Sequence, residues 1–253
     1  MTRYFKGLYM SLGMFCAIPL PFNLWDDKCM NLMLPCFPLV GALIGAIWWG
    51  AAKLLVFAGA HIALCSAALA ALPFFLTGFL HLDGYMDTSD AVLSRRPLED
   101  KLRILKDPHT GAFSVIMIAV LFVFQFAAVY AAVDNGKYFL PLIFIAVISR
   151  CASSLSVLWL KPMPQSGYAN MFRQNTKTAH KIFLILILAC ALALSLLSAG
   201  VWGLIVSVSV IFGYAGAFLY AYTDLKGVSG DVAGFALVIG ELCGLVALAL
   251  IGG

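Results

Sequence analysis

Seven long runs of apolar residues fill most of this chain, and no other feature restricts its fold as strongly. They lie near residues 35–58, 61–80, 111–133, 138–160, 181–199, 201–222 and 232–251. A helix that crosses a bilayer needs roughly 20 such residues, and only a helix satisfies the hydrogen bonds of one lipid-exposed segment within itself. The expected fold is an all-α polytopic integral membrane protein of about seven transmembrane helices plus a short interfacial helix, forming a single membrane domain over residues 1–253. Only 11% of the residues are charged, against roughly 25% in soluble domains, so the bilayer has to act as the solvent. Residues 1–34 read as an N-terminal interfacial or re-entrant segment, with 8–20 as its apolar part. Arg3 and Lys6 precede that part, but Pro19 and Pro21 stand where a cleavable signal would need small residues. The seven cysteines are scattered, mostly in apolar runs and with no C-x-x-C pair, and read as small hydrophobes.

The connections between runs are of two kinds, and they alternate. Gly59-Ala60, the turn from Asp134 to Lys137, and Gly200 are tight; residues 81–110, 161–180 and 223–231 are long or polar. An odd number of crossings puts the N-terminal segment and the three polar connections on one face, with the tight turns and the C-terminus on the other. Fourteen basic residues fall on or near the first face: Arg3, Lys6, Lys28, Arg95, Arg96, Lys101, Arg103, Lys106, Arg150, Lys161, Arg173, Lys177, Lys181 and Lys226. Only Lys53 and Lys137 fall toward the other. Such a bias marks the polar face as cytoplasmic. Trp25, Trp159, Tyr168 and Tyr222 sit near run ends, as interface anchors do. Gly41 and Gly45 form a G-x-x-x-G, a spacing that lets helices approach and that also recurs by chance in Gly-rich apolar sequence. The net charge of +4, with no basic stripe interleaved with aromatics, argues against nucleic acid as a partner.

The chemistry gathers in His81-Leu82-Asp83-Gly84-Tyr85-Met86-Asp87-Thr88-Ser89-Asp90. Its carboxylates are spaced four and three apart, so at about 100° per residue they share one narrow helical face. Like charges on neighbouring turns repel, and a helix carries that cost readily when a cation lies among them. Mg²⁺ prefers carboxylate and water oxygens and shares its shell with substrate phosphates. Asp83, Asp87 and Asp90 are therefore metal candidates, with Gly84 allowing a phosphate or a neighbouring helix close to the backbone. His81 lies off the carboxylate stripe and reads either as an interfacial histidine or as a proton carrier.

Residues 94–107 follow. Pro97, Glu99 and Asp100 suit a helix start, and Leu98, Leu102 and Leu105 form an apolar stripe that predicts a helix lying in the headgroup layer with basic residues outward. Arg95, Arg96 or Lys106 could alternatively grip a phosphate. A second polar knot, Asp224-Leu225-Lys226-Gly227-Val228-Ser229-Gly230-Asp231, precedes the last run. It reads either as a turn capped by Asp231 or as a phosphate or metal cradle built on Lys226, Gly230 and Asp231. Glu241 is an intramembrane carboxylate, a functional candidate by default.

These residues resemble the cobalamin synthase family, the adenosylcobinamide-GDP ribazoletransferases. His81-Leu82-Asp83-Gly84-x-x-Asp87-Thr88-x-Asp90 is similar to that family's HLDGxxDTxDG signature, Lys106-Asp107 with Gly111 to its KDSRxGxxG, and Gly227-Val228-Ser229-Gly230-Asp231 to its GxTGD. Phe37-Pro38-Leu39-Val40-Gly41 and Ile18-Pro19-Leu20-Pro21 resemble its FPxVG and LPVP segments, and the matches keep their order along the chain. Ala91 stands where the family usually has Gly, Pro108-His109 replaces Ser-Arg, and Ala17 replaces an Arg.

The resemblance implies a Mg²⁺-dependent enzyme of the inner membrane, facing the cytoplasm. It would join adenosylcobinamide-GDP to α-ribazole or its 5′-phosphate and release GMP. Asp83 and Asp87 would then hold Mg²⁺ on the pyrophosphate, Asp90 would be a further ligand or the base, and Asp231 with Lys226 the second pole. Lys106 and Arg103 would contact phosphate. The expected partners are those substrates and membrane lipid, with a homo-oligomer or other enzymes of the pathway as further possibilities. Two other readings remain. A CDP-alcohol phosphatidyltransferase also uses helical aspartates, but its D-G-x-x-A-R pattern is not matched here. A transporter would place polar residues at mid-membrane, where the sequence has mainly Glu241.

Overall fold

The computed structural model describes residues 2–136, 139–163, 166–174 and 176–250. Lys137, the first residue of the fourth run, the last residue of the seventh and the side chain of Tyr168 lie outside the described residues. The chain runs through α1 (Arg3–Phe15), a 3₁₀ segment (Asp27–Leu32), α2 (Met33–Phe57), α3 (Ile62–Leu76), α4 (Leu80–Leu93) and α5 (Leu98–Ile104). It continues through α6 (Ala112–Asp134), α7 (Pro141–Trp159), α8 (Gly167–Arg173), α9 (Thr178–Leu225) and α10 (Gly230–Leu250). Among the described residues, five helical segments are long and apolar enough to cross a membrane when α9 is taken as one, or six if the bent pair α3–α4 counts as a span.

Helix α9 is in fact two runs folded against each other. Gly200 leaves the helical region at φ 63°, ψ −158°, and Ser207 Oγ donates to Ser195 Oγ at 2.8 Å. Residues 12 apart on a straight helix would be separated by about 18 Å. The chain therefore reverses at Gly200, the tight turn expected there, and the fifth and sixth runs pair as a hairpin.

The second run departs from expectation. Its helix, α3, stops at Leu76 after 15 residues instead of continuing to residue 80. Gly78 and Phe79 both adopt left-handed backbone, at φ 58° and 63°, and α4 leaves at 91° to α3. A left-handed pair cannot sit in a right-handed helix, so the corner is built into the backbone. Thr77 Oγ1 donates to the Pro73 carbonyl at 3.0 Å, and the Ala17 N–H donates to the Leu76 carbonyl at 2.7 Å. The acidic stretch thus lies on its own helix, placed across the beginnings of α6 and α10. Residues 81–110, read as a loop, fold mostly as α4 and α5.

Two prolines inside spans explain how neighbouring helices are held. Pro38 in α2 and Pro73 in α3 each withhold the N–H that would bond the carbonyl four residues back. Those carbonyls are Leu34 and Leu69. Ser154 Oγ on α7 donates to the first at 2.8 Å, and Trp48 Nε1 on α2 to the second at 2.8 Å. Inside a bilayer an unmet carbonyl costs several kcal/mol, so each proline creates a site that a particular neighbour must fill. The Gly41–Gly45 pair meets α7 directly: a Cβ at Gly41 would lie 2.5 Å from the Ala146 carbonyl, and one at Gly45 2.6 Å from Ile143 Cα. The spacing is used for close packing.

Two apolar clusters follow. One, around Phe15, Phe37, Leu82, Tyr85 and Val232, lies toward the polar connections. The other, around Trp48, Leu69, Val129, Ile145 and Leu248, lies toward the tight turns. Two expectations about charge are corrected. Arg150, counted with the polar face, is 1% exposed within α7 and pairs with Glu241 of α10. The α5 helix does not turn all its basic residues outward: Leu102 and Leu105 pack on the first cluster, and Lys101 turns inward to Asp224 at 2.6 Å.

Candidate active site

Helix α4 packs so tightly on α10 that a Cβ at Gly84 would lie 2.8 Å from Asp231 Cα. Tyr85 OH bonds the Met117 carbonyl of α6 at 3.1 Å, and its ring stacks on Phe235 of α10. These contacts bury His81, Tyr85, Thr88 and Ser89 and leave Asp83 exposed and Asp87 and Asp90 half-buried. At the far end of α4 the Asp90 carboxylate lies against Gly111, so close that a Cβ there would overlap it. Gly111 is the N-cap of α6, which puts Asp90 at that helix's positive end.

Asp231 lies in the first turn of α10, just after a connection held by a parallel bridge between Pro162 and Val228. Met163 N–H donates to the Val228 carbonyl at 3.0 Å, and Val228 N–H to the Lys161 carbonyl at 2.9 Å. A Cβ at Gly227 would be 2.8 Å from Met163 N, so glycine is required for the bridge to close. Ser229, not Asp231, caps α10: its Oγ accepts the Val232 N–H at 3.2 Å. The Asp231 carboxylate accepts from Ser229 Oγ at 3.4 Å.

Four carboxylates are thus drawn to one place. The carboxylates of Asp83, Asp87 and Asp90 form no hydrogen bond or salt bridge among the described residues. Desolvation, then the charges of Asp83, Asp231 and Asp90, push the Asp87 carboxyl up to about 6. Among the described residues no three of His, Cys, Asp and Glu converge into a ready-made metal shell. Mg²⁺ commonly takes only one or two carboxylates and completes its shell with water and substrate phosphate, so this donor set fits it.

Two cavities meet at Gly230 and Asp231. One, about 220 Å³, is lined by Lys106, Leu102, Leu105, Ser166 and Ser229. The other, about 250 Å³, is mainly apolar, with Phe15, Phe37 and Val157 beside His81 and Asp83. A Cβ at Gly230 would meet nothing, so the space there is open to a ligand. His81 is buried against Phe15 and Phe37. Its Nε2 is buried without a partner, and burial, with a smaller effect of Arg150, pushes the imidazole down to about 3. Burial thus favours its neutral form, with an unpaired ring nitrogen available for a hydrogen bond.

The sequence matches the cobalamin-5-phosphate synthase family over residues 7–249. The chain belongs to the cobalamin-5-phosphate synthase family. It is 40% identical over 250 residues to an adenosylcobinamide-GDP ribazoletransferase of Clostridium botulinum strain Eklund 17B, covering 99% of each chain. It is 36% identical to one of Clostridium perfringens strain ATCC 13124, over 99% of this chain and 100% of that one. A Geobacillus protein of the same name, from strain WCH70, is 29% identical over 92% of this chain and 91% of its own. No solved structure matches the chain.

The segments that resemble the cobalamin-5-phosphate synthases divide by position. Asp83, Asp87, Asp90, Asp231, His81, Gly230 and Lys106 border the two cavities or the carboxylate group between them. The Phe37–Gly41 segment instead sets helix packing, and of it Phe37 alone lines either of these two cavities. Lys226 is exposed at the left-handed C-cap of α9, and Arg103 is exposed and paired with Asp100 at 3.2 Å. Neither lines the cavities. Lys101, which binds Asp224 across α5 and α9, and Ser229, the true cap, had no distinguishing signal in the sequence.

Proposed function

We propose that this chain joins adenosylcobinamide-GDP to α-ribazole or its 5′-phosphate with release of GMP, closing the nucleotide loop of cobalamin. The observation that carries this reading is the group of unpaired carboxylates on α4, with Asp231, at the meeting point of a lysine-lined and an apolar cavity. The ribazole 3′-hydroxyl attacks the cobinamide-linked phosphorus. A P–O bond forms, the pyrophosphate bridge breaks, and GMP departs with the bridging oxygen. Such transfers depend on positioning and charge neutralisation more than on covalent work by the protein.

Asp83 and Asp87 would hold Mg²⁺, with Asp90 a further ligand or the acceptor of the hydroxyl proton and Asp231 the second pole. When bound, Mg²⁺ supplies positive charge to the pyrophosphate oxygens. Lys106 offsets phosphate charge in the first cavity. The apolar cavity excludes water from a flat ring, and neutral His81 offers its open nitrogen to a polar group of the substrate.

We place the enzyme in the cytoplasmic membrane, multi-pass, with this site facing the cytoplasm. With Arg150 moved from the polar face into the bundle, the basic residues divide thirteen (14 − 1) against two, still a strong bias. Transport is disfavoured because the intramembrane carboxylate, Glu241, is matched by Arg150. The test is GMP release by purified protein given adenosylcobinamide-GDP, α-ribazole and Mg²⁺, beside the Clostridium botulinum relative. Release that EDTA stops supports the proposal; none above background, with the relative active, rejects it.

A further inference from the structure

Away from the carboxylates, the structure holds a second polar feature that the proposed reaction leaves unused. A cleft of about 880 Å³ lies between α1, the 3₁₀ segment and the start of α9, with Arg3, Lys28, Lys177 and His180 on its walls. Its one acid, Asp26, is bound by Lys6 at 2.9 Å. Arg3 donates to the Lys28 carbonyl at 2.9 Å, and Arg3, Lys28 and Lys177 form no salt bridge among the described residues. The cleft is therefore a concentration of cations without counter-charge.

The cleft continues into an apolar groove of about 490 Å³, lined by Leu8, Pro35, Leu39 and Phe183, with Tyr4, Leu32, Ala179 and His180 common to both. A cationic chamber opening onto an apolar groove, at the end of two spans, matches a molecule with an anionic head and a hydrocarbon tail. The level is right for a headgroup: nearby Trp159 is half exposed with Lys181 Nζ 5.8 Å from its ring, the kind of pair that marks the bilayer surface. Basic pockets between spans on one side of a membrane recognise anionic headgroups in this way.

We propose that this cleft and groove form a binding site for one anionic phospholipid, its phosphate held by Arg3, Lys28 and Lys177 and an acyl chain lying along Leu39 and Phe183. The lipid fastens α1 to the starts of α2 and α9.

The test is native mass spectrometry of purified, delipidated full-length protein in neutral detergent, titrated with phosphatidylglycerol or phosphatidylcholine. The wild type should prefer phosphatidylglycerol. Each cation neutralised should weaken that preference about five-fold at low salt, on the order of 100-fold for Arg3→Gln/Lys28→Gln/Lys177→Gln. Should that variant not fold, Lys28→Gln/Lys177→Gln keeps the Arg3 contact and should lose about 25-fold. Leu39→Trp, with every cation intact, should weaken binding by filling the groove. Equal retention of the two lipids by the wild type overturns the proposal, as does a preference unchanged in the cation variants. Displacement of the lipid by inorganic phosphate, or indifference to Leu39→Trp, would show a site for free anions and overturn it equally.

Discussion

Removing one partner of the Arg150–Glu241 pair should destabilise this protein more than any other single change of charge. The two side chains are 1% and 7% exposed. Ser149 Oγ donates to Glu241 Oε1 at 3.0 Å, and Arg150 also reaches the Ala146 carbonyl at 3.2 Å and Ser149 Oγ at 3.0 Å. Gly41 makes room, since a Cβ there would lie 2.9 Å from Arg150 Cδ, and the guanidinium stands 6.0 Å from the Phe37 ring. Glu241→Gln leaves a buried guanidinium facing only neutral acceptors, and Arg150 Nε already lacks a partner. Breaking a buried pair from one side costs about 3–5 kcal/mol, whereas replacing both partners with apolar residues is often near neutral. Glu241→Gln and Arg150→Met should each fall in that range, and Arg150→Met/Glu241→Leu should recover most of the loss. The assay is unfolding of the purified protein in mixed micelles, followed by helical circular dichroism, as a double-mutant cycle. Single losses under about 1 kcal/mol that simply add in the double variant would refute the idea that these charges depend on each other.

Three further outcomes are expected. Metal-free protein should lose stability as pH rises from about 4 to 6: the folded state raises the Asp87 carboxyl to about 6 and binds more protons there than the unfolded chain. Mg²⁺ needs the ionised form, so its effect on the melting midpoint should be larger at pH 7.5 than at pH 5 and absent in Asp87→Asn; equal shifts at both pH values would sink the assignment. Gly111→Ala should displace the Asp90 carboxylate and abolish GMP release with the fold intact, whereas Gly216→Ala, whose Cβ meets nothing, should preserve turnover and gain about 0.5–1 kcal/mol. His81→Ala should lower turnover without moving the pH profile between 5 and 8, because the imidazole stays neutral across that range; a lost acidic limb would restore it as a proton carrier.

The spans were legible because their periodicity-free apolar length has few alternatives, and Gly200 was legible because a single glycine between two such runs leaves only a tight reversal. The corner at Gly78–Phe79 was not, since Phe79 in left-handed backbone runs against its own preference and is held by contacts distant in sequence. The acidic face of α4 followed directly from helical spacing. Its relation to Asp231, 141 residues beyond Asp90 (231 − 90), needed the family resemblance or the fold, because nothing local brings them together. Arg150 was misplaced because its distance from the polar connection is compatible with an interfacial position. Its partner, 91 residues away, is invisible to local reading.

The placement of α4 also accounts for how four carboxylates coexist. A helix N-terminus carries roughly half a positive charge. Asp90 lies at that of α6, and Asp231 occupies the first turn of α10. Together the two termini supply about one charge against four, and Lys106 beside Asp231 supplies another. About two negative charges remain uncompensated, and the raised Asp87 carboxyl is where that excess is felt. Helix dipoles alone therefore cannot explain why the fold tolerates this face. On the proposed reading one divalent cation would, with the substrate pyrophosphate bringing the negative charge that completes its shell. On that reading, the carboxylates would be matched to a metal and a phosphate arriving together.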